Sequence, residues 1–295
     1  MAAAHSPQHM VTRFAPSPTG RLHVGHGWSA LMAFDMARAA GGKFLLRIED
    51  IDGGRSRPEH IVGIEEDLAW LGIVWDGPVW RQSDRLAAYT QALARLDAMG
   101  LVYPCFCTRA DIAREIADSA SAPQGPQGPL YPGACRHLND VQRRARIEAG
   151  EAHALRIDMA AAVARAGPLA WHDADAGDIV ARPDLLGDVV LARKDAPASY
   201  HLAVTVDDAA QGVTDIVRGR DLFDATHVHR LLQALLDLPA PRYRHHGLLV
   251  DGQGRRLAKR DAGLTLASLR ADGMDGAVLA AQLRAGVFTF GIRLA

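Results

Sequence analysis

No stretch of about 18 apolar residues occurs in the 295-residue chain, so the sequence offers no transmembrane helix. The first ten residues, MAAAHSPQHM, lack a basic stretch followed by an apolar block and do not read as a secretory signal. Cysteine is scarce. Three residues, an odd number at low density, argue against a disulfide framework. These absences together predict a cytoplasmic protein with no membrane partner. Neither GxxxxGK[ST] nor GxGxxG is present, which removes the two commonest glycine-rich phosphate loops. No internal repeat is visible. The net charge of −1 leaves nucleic acid open as a partner, because a neutral protein can carry a local basic face.

What is present fits one large α/β domain with an appendage: 48% hydrophobic and 23% charged residues are enough for a substantial core. VTRFA (11–15) reads as a strand, GHGWSALMAFDMARAA (25–40) as a helix stopped by Gly41-Gly42, and KFLLRIED (43–50) as a buried parallel strand. Strand, helix, strand in about 40 residues is a βαβ unit with a right-handed crossover. Amphipathic helices are predicted over Glu59–Leu71 and Arg85–Met99, and a further helix over 221–238. Strand and helix signals return over 185–195 and 199–219. Residues 119–133, SASAPQGPQGPLYPG, admit no helix and read as a surface loop. The segment 136–185 is weakly patterned and includes the basic run RRAR at 143–146.

His23-Val-Gly-His26 stands where the first helix begins. Helix amino termini present unpaired N–H groups and partial positive charge, which suits phosphate. Gly25 allows a ligand close to the backbone, and the two imidazoles can donate to phosphate oxygens. In its setting, Arg13-Phe-Ala-Pro-Ser-Pro-Thr-Gly-Arg-Leu-His-Val-Gly-His26, the string resembles the signature of glutamyl-tRNA synthetases, which are class I aminoacyl-tRNA synthetases. RIEDID (47–52), VRGRDL (217–222) and Arg256-Leu-Ala-Lys-Arg260 follow in the order expected of that family. The last resembles its "KMSKS" loop, with Arg256 replacing the first lysine and Ala258 the serine, while Lys259 is kept.

The resemblance implies an α/β fold: a Rossmann-like parallel sheet with an inserted zinc-binding subdomain and a short helical C-terminal extension. The expected divisions are a first half of the core at 1–104, the insertion at 105–184, the second half at 185–261 and the tail at 262–295. ATP with Mg²⁺ is expected at His23, Gly25, His26 and Lys259, with His23, His26 and Lys259 stabilising charge on the phosphates.

Glutamate carries two carboxylates and an ammonium, so its pocket needs cations and an anion. Arg13 and Arg218 are the obvious carboxylate partners, because a guanidinium matches a carboxylate bidentately. Glu49, after the next parallel strand, can hold the ammonium. By resemblance Arg13, Phe14, Ala15, Pro16, Ser17, Glu49, Tyr200 and Arg218 form the amino-acid pocket, while Arg47 and Asp50 are expected to be structural.

Cys105-Phe-Cys107 and Cys135 suggest a structural zinc lacking one ligand. Ligand chemistry alone nominates His137. A short group of glutamyl synthetase paralogues instead carries Cys-x-Cys with Tyr-x-x-x-Cys, and Tyr131-Pro-Gly-Ala-Cys135 fits that spacing. The ligand set implied by resemblance is Cys105, Cys107, Tyr131 and Cys135, with His137 in reserve.

After Lys259 only about 35 residues remain, with room for one or two helices and none for the anticodon-reading domain of a full glutamyl-tRNA synthetase. The pattern resembles the truncated group of glutamyl-Q tRNA(Asp) synthetases. That resemblance implies formation of glutamyl-adenylate without tRNA, then transfer of glutamate to queuosine in the anticodon of tRNA(Asp). Arg242-Tyr-Arg-His-His246 and the 255–260 loop are candidate RNA contacts. Three other expectations compete: a truncated enzyme charging a tRNA 3′ end, a silent glutamate or ATP sensor, and a zinc-stabilised RNA-binding module.

Overall fold

The computed structural model describes residues 9–118, 124–126, 128–255, 265–289 and 291–295. β1 (Val11–Phe14), α1 (Val24–Ala39) and β2 (Lys43–Ile48) form the expected βαβ unit, with β1 and β2 parallel from Val11 opposite Lys43 to Phe14 opposite Leu46. Phe44, Leu46 and Ile48 in β2 are fully buried, as an inner parallel strand requires. α2 (Pro58–Trp70) starts on a proline, whose fixed φ suits a first helical turn, and leads to the short parallel strand β3 (Trp80–Arg81). α3 (Leu86–Ala98) follows.

The chain then leaves the parallel sheet. β4 (Val102–Cys105), α4 (Arg109–Asp118), the two-residue strands β5 (Gln124–Gly125) and β6 (Gly128–Pro129), α5 (Asp140–Glu148), β7 (Ala154–Ile157) and α6 (Met159–Ala166) come next. The hairpin β8 (Ala170–Asp173) and β9 (Gly177–Val180) and the strand β10 (Val190–Ala192) complete the segment. β4, β7 and β10 form a separate antiparallel sheet with β7 central. β8 lies inside the span 105–184 expected for the insertion, yet it pairs with a strand of the second parallel sheet.

That sheet contains β11 (Asp215–Gly219) and β12 (Arg242–His246), parallel to each other, with β8 parallel to β12. α7 (Tyr200–Ala210) precedes β11 and α8 (Ala225–Leu235) follows it. The two parallel sheets meet where the Thr214 N–H donates to the Val11 carbonyl at 2.9 Å, so β1 and β11 run side by side at the centre of the molecule. Leu202, Val228, Leu231 and Leu232 of α7 and α8 are fully buried together with Tyr89 and Leu96 of α3.

β13 (Leu249–Val250), α9 (Leu266–Ala271), α10 (Gly276–Arg284) and β14 (Arg293–Leu294) close the chain. Leu279, Ala280 and Leu283 of α10 share one core with Leu31, Ala33 and Ala37 of α1, so the two tail helices belong to the body of the molecule. No helix among the described residues is long and apolar enough to cross a membrane.

Candidate active site

A cleft of about 550 Å³ opens at the carboxyl ends of β1 and β11, on either side of the junction between the half-sheets. Adjacent parallel strands whose connections leave in opposite directions open such a crevice. Arg13, Phe14, Ala15, Pro16, Ser17, His23, Gly25, His26, Glu49, Tyr200 and Arg218 all line it. The sequence motifs, up to about 200 residues apart, thus converge on one hollow.

The arginines and carboxylates form a chain. Arg13 Nε donates to Asp208 Oδ1 at 3.0 Å, and Arg47 Nη1 donates to the same oxygen at 2.8 Å. Arg47 reaches on through Nη2 to Glu49 Oε1 at 3.3 Å and through Nη1 to Gln211 Oε1 at 2.8 Å. Burial alone would raise the Asp208 carboxyl, but Arg13 and Arg47 outweigh it and hold the group below its ordinary value. Glu49 moves the other way. Burial raises it, and Arg47 and Arg13 only partly offset that.

Arg47, fully buried, is the spine of the chain, consistent with the structural role expected for it. Asp50 likewise accepts from the Ser83 backbone N–H at 2.9 Å and the Ser83 hydroxyl at 2.8 Å. Asp208 is a residue that motif reading passed over; its only signal in sequence is the acidic pair Asp207-Asp208 late in an otherwise apolar helix.

Arg218 is fixed differently. Its Nε donates to His245 Nε2 at 3.1 Å, and its Nη1 donates to the Tyr200 hydroxyl at 3.2 Å. Nη1 also contacts His229 Nδ1 at 3.3 Å, and Nη2 donates to Thr226 Oγ1 at 2.6 Å and to the Leu222 carbonyl at 3.2 Å. These partners carry no charge. Burial and Arg218 itself push His245 down to about 4, and His229 falls well below its ordinary value for the same reasons. A guanidinium 4% exposed among neutral acceptors retains its full attraction for an anion entering the cleft.

At the other wall, His23 is the residue before α1. Its backbone N–H donates to His26 Nδ1 at 3.2 Å, and the two rings stack with centroids 3.7 Å apart. That bond leaves the N–H of neutral His26 on Nε2. A methyl group on Gly25 would lie 3.1 Å from the His23 ring, so a larger residue there would push the ring a few tenths of an ångström from the helix start. Just before α9, Thr265 bridges to His23, and the Leu266 N–H donates to the Leu22 carbonyl at 2.9 Å. The segment leaving the expected loop is therefore anchored at the histidines. Arg256, Ala258 and Lys259 lie outside the described residues.

Strand β12 presents only part of the basic run expected to meet RNA. His245 and His246 are buried, both held below the ordinary imidazole value, and His246 lines the cleft with its Nε2 at 2.9 Å from Ser29 Oγ. Arg242 pairs with Asp215 at 2.9 Å and Arg255 with Asp251 at 2.8 Å. β12 thus buries Tyr243, His245 and His246, while the side chains of Arg242 and Arg244 stay 62% and 41% exposed and pair with Asp215 and Asp175.

The Sγ atoms of Cys105, Cys107 and Cys135 all lie within 4.8 Å of one another. The Tyr131 hydroxyl stands 3.6 Å from Cys107 Sγ and accepts the Cys135 N–H at 2.9 Å, which brings it to the cluster; His137 is not among the clustered ligand atoms. Burial pushes the Cys107 thiol up to about 12, while the Phe106 N–H and the neighbouring Cys107 and Tyr131 overcome burial at Cys135 and lower it. Clustered sulfur donors with one phenol suit a closed tetrahedral site for a borderline-soft cation.

A cleft of this kind, at the switch between two parallel half-sheets and walled by an HxGH helix start, defines a class I synthetase site. The family model for the catalytic domain of class I tRNA synthetases (E and Q) matches residues 9–293, and the chain belongs to that family. A glutamyl-Q tRNA(Asp) synthetase of Rhodobacter capsulatus is 52% identical, with 91% of this chain and 97% of that protein covered. A glutamyl-Q tRNA(Asp) synthetase of Symbiobacterium thermophilum is 45% identical over 88% of this chain and 81% of its own. Glutamate–tRNA ligase 2 of Alkalilimnicola ehrlichii is 37% identical over 91% of this chain, which spans 56% of that protein. Among solved structures, a glutamate tRNA ligase from Elizabethkingia meningosepticum in complex with its amino acid superposes with a TM-score of 0.72 at 28% identity. The match covers 86% of this chain and 53% of that one.

Proposed function

We propose that the protein is a glutamyl-Q tRNA(Asp) synthetase, an ATP-dependent ligase that activates glutamate and transfers it to queuosine in the anticodon of tRNA(Asp). The observation that carries this reading is the 52% identity to the Rhodobacter capsulatus enzyme along 97% of that enzyme's length. The cleft supplies the chemistry. Arg218, with neutral partners, and Arg13, oriented by Asp208, receive the carboxylates of glutamate, and Glu49 receives its ammonium. Phe14, Ala15, Pro16 and Ser17 form the floor beside them, and Tyr200 adds a hydroxyl.

In the first step a carboxylate oxygen of glutamate attacks the α-phosphorus of ATP. The bond to the bridging oxygen breaks, and pyrophosphate leaves with the electron pair. We assign His23 and His26 to the negative charge that grows on it, and Lys259 to the same phosphates, with Mg²⁺ accompanying ATP. No side chain acts as a nucleophile, so positioning and electrostatics dominate the acceleration. In the second step a hydroxyl of the queuosine cyclopentenediol attacks the anhydride carbonyl and AMP departs. We assign a structural zinc to Cys105, Cys107, Cys135 and Tyr131, where it would pin the β4–β7–β10 insertion.

The test is charging with ATP, labelled glutamate and bulk tRNA from cells able or unable to make queuosine. Label confined to the queuosine-containing pool is the expected result. Equal label on both pools would instead indicate an enzyme charging a tRNA 3′ end.

A further inference from the structure

Resting on the assignment of Arg218 to a substrate carboxylate, we infer that Asp173 and His245 form a positioning dyad that fixes the guanidinium of Arg218 through the tautomer of His245. His245 is the penultimate residue of β12. On one side its Nδ1 lies 2.7 Å from Asp173 Oδ2; on the other its Nε2 lies 3.1 Å from Arg218 Nε. Thr226 Oγ1 lies 3.2 Å from the same Nε2, where the Thr226 hydroxyl can donate alongside Arg218. Arginine can only donate, so Nε2 must hold a lone pair and the single proton of the neutral ring must sit on Nδ1, donating to Asp173. Burial keeps the ring neutral, and the side chains of Asp173 and His245 are each only 2% exposed.

Asp173 is itself held. Its Oδ1 accepts from the backbone N–H groups of Asp175 and Ala176, each at 3.0 Å, in the β8–β9 turn, and its Oδ2 also accepts the His245 N–H at 3.2 Å. The turn of the β8–β9 hairpin therefore sets the carboxylate, the carboxylate sets the tautomer, and the tautomer sets the arginine. Neither Asp173 nor His245 lines the cleft, so neither touches substrate. A second neutral histidine braces the same guanidinium: His229 Nδ1 faces Arg218 Nη1 at 3.3 Å, and its Nε2 faces His201 Nδ1 at 3.2 Å. Two imidazole acceptors hold Arg218 without a carboxylate among its described partners. Such an arrangement fixes direction while leaving the positive charge for the ligand.

Three variants test the inference. In Asp173→Asn the Oδ1 contacts to the turn can persist, but a side-chain amide now faces His245 Nδ1. The ring proton moves to Nε2 and opposes Arg218 Nε–H. His245→Leu removes the acceptor, and His245→Gln restores one. ATP–pyrophosphate exchange gives KM for glutamate and for ATP separately. Expected is a rise of about tenfold to hundredfold in KM for glutamate in Asp173→Asn and His245→Leu, recovery to within about threefold of wild type in His245→Gln, and an unchanged KM for ATP. Nitrogen-15 NMR of the labelled histidines reads the tautomer with no need for turnover. It should report Nδ1–H at His245 in the wild type and Nε2–H in Asp173→Asn. A wild-type Nε2–H tautomer overturns the dyad. So does an Asp173→Asn protein with wild-type KM for glutamate, or glutamate and ATP constants that rise together with loss of thermal stability. Absence of glutamate-dependent exchange in the wild type would refute the functional reading, while the NMR result would still decide the dyad.

Discussion

Asp208 shows how much one carboxylate can organise. It bridges Arg13 and Arg47 at 3.0 and 2.8 Å, and it is buried. Replacing it by asparagine leaves two guanidinium groups beside a neutral amide in low dielectric. A loss of about 3 kcal/mol in urea-unfolding stability is expected, with at least a tenfold rise in KM for glutamate as Arg13 loses its anchor. Wild-type values of both would show that Arg13 is held by something else. Lys259→Ala should lower pyrophosphate exchange about 10²- to 10³-fold, the usual cost of removing one preorganised charge from a transition state. An unchanged rate would remove Lys259 from the ATP site.

Among the secondary elements, α10 depends on a contact that only glycine permits. A methyl group at Gly276 would fall 2.0 Å from the Trp70 carbonyl oxygen at the end of α2. Backbone cannot yield as a flexible side chain does, so Gly276→Ala should lower stability by about 2 kcal/mol or more by shifting α10 off α1. Circular dichroism with thermal unfolding measures it, and a wild-type melting temperature would refute it.

The same scale shows where sequence was informative. β1, α1 and β2 were legible because a βαβ unit announces itself through periodicity, and α2 and α3 emerged within two residues of their expected limits. β12 was not legible as a buried strand. Its RYRHH composition is polar, and burial is tolerated only because Asp173, Gln233 and Arg218 satisfy His245 and Tyr243 from other elements. Helix 221–238 split into a 3₁₀ turn at Arg220–Leu222 and α8, since the Leu222 carbonyl turns to Arg218 and Thr226.

For the molecule as a whole, acid should be destabilising through its histidines. His201, His227, His229, His245 and His246 are all held below the ordinary imidazole value, chiefly by burial. A histidine with a depressed folded pKa binds its proton in the unfolded chain first. Its contribution is intact above about pH 6.5 and is lost as pH falls toward the folded value. For His245, folded near 4, the loss between pH 7 and pH 5 is about 2 kcal/mol. Asp67 opposes this: burial raises it to about 6, so it favours the fold more as pH falls toward 4. Glu49, which burial also raises, acts in the same sense as Asp67. Five histidines against these two carboxyls predict a melting temperature that drops from pH 7 to pH 5, and a flat profile would contradict the buried neutral network. Metal analysis should find one zinc per chain. Chelation or Cys107→Ser should expose the insertion to protease before the parallel core.

By itself the sequence determined the α/β class, the order of the motifs and part of the cleft's lining, because periodicity and short motifs are local properties of the chain. His246, Trp28 and Ser29 line the same cleft with no such signal. The sequence also marked the cysteines and Tyr131 as a cluster. Only the tertiary structure decided how these residues are held. Asp208 reaches Arg13 across 195 positions, and Asp173 reaches His245 across 72. Such pairings arise from packing parallel strands and their crossing helices side by side, and no local pattern records which buried carboxylate will face which cation.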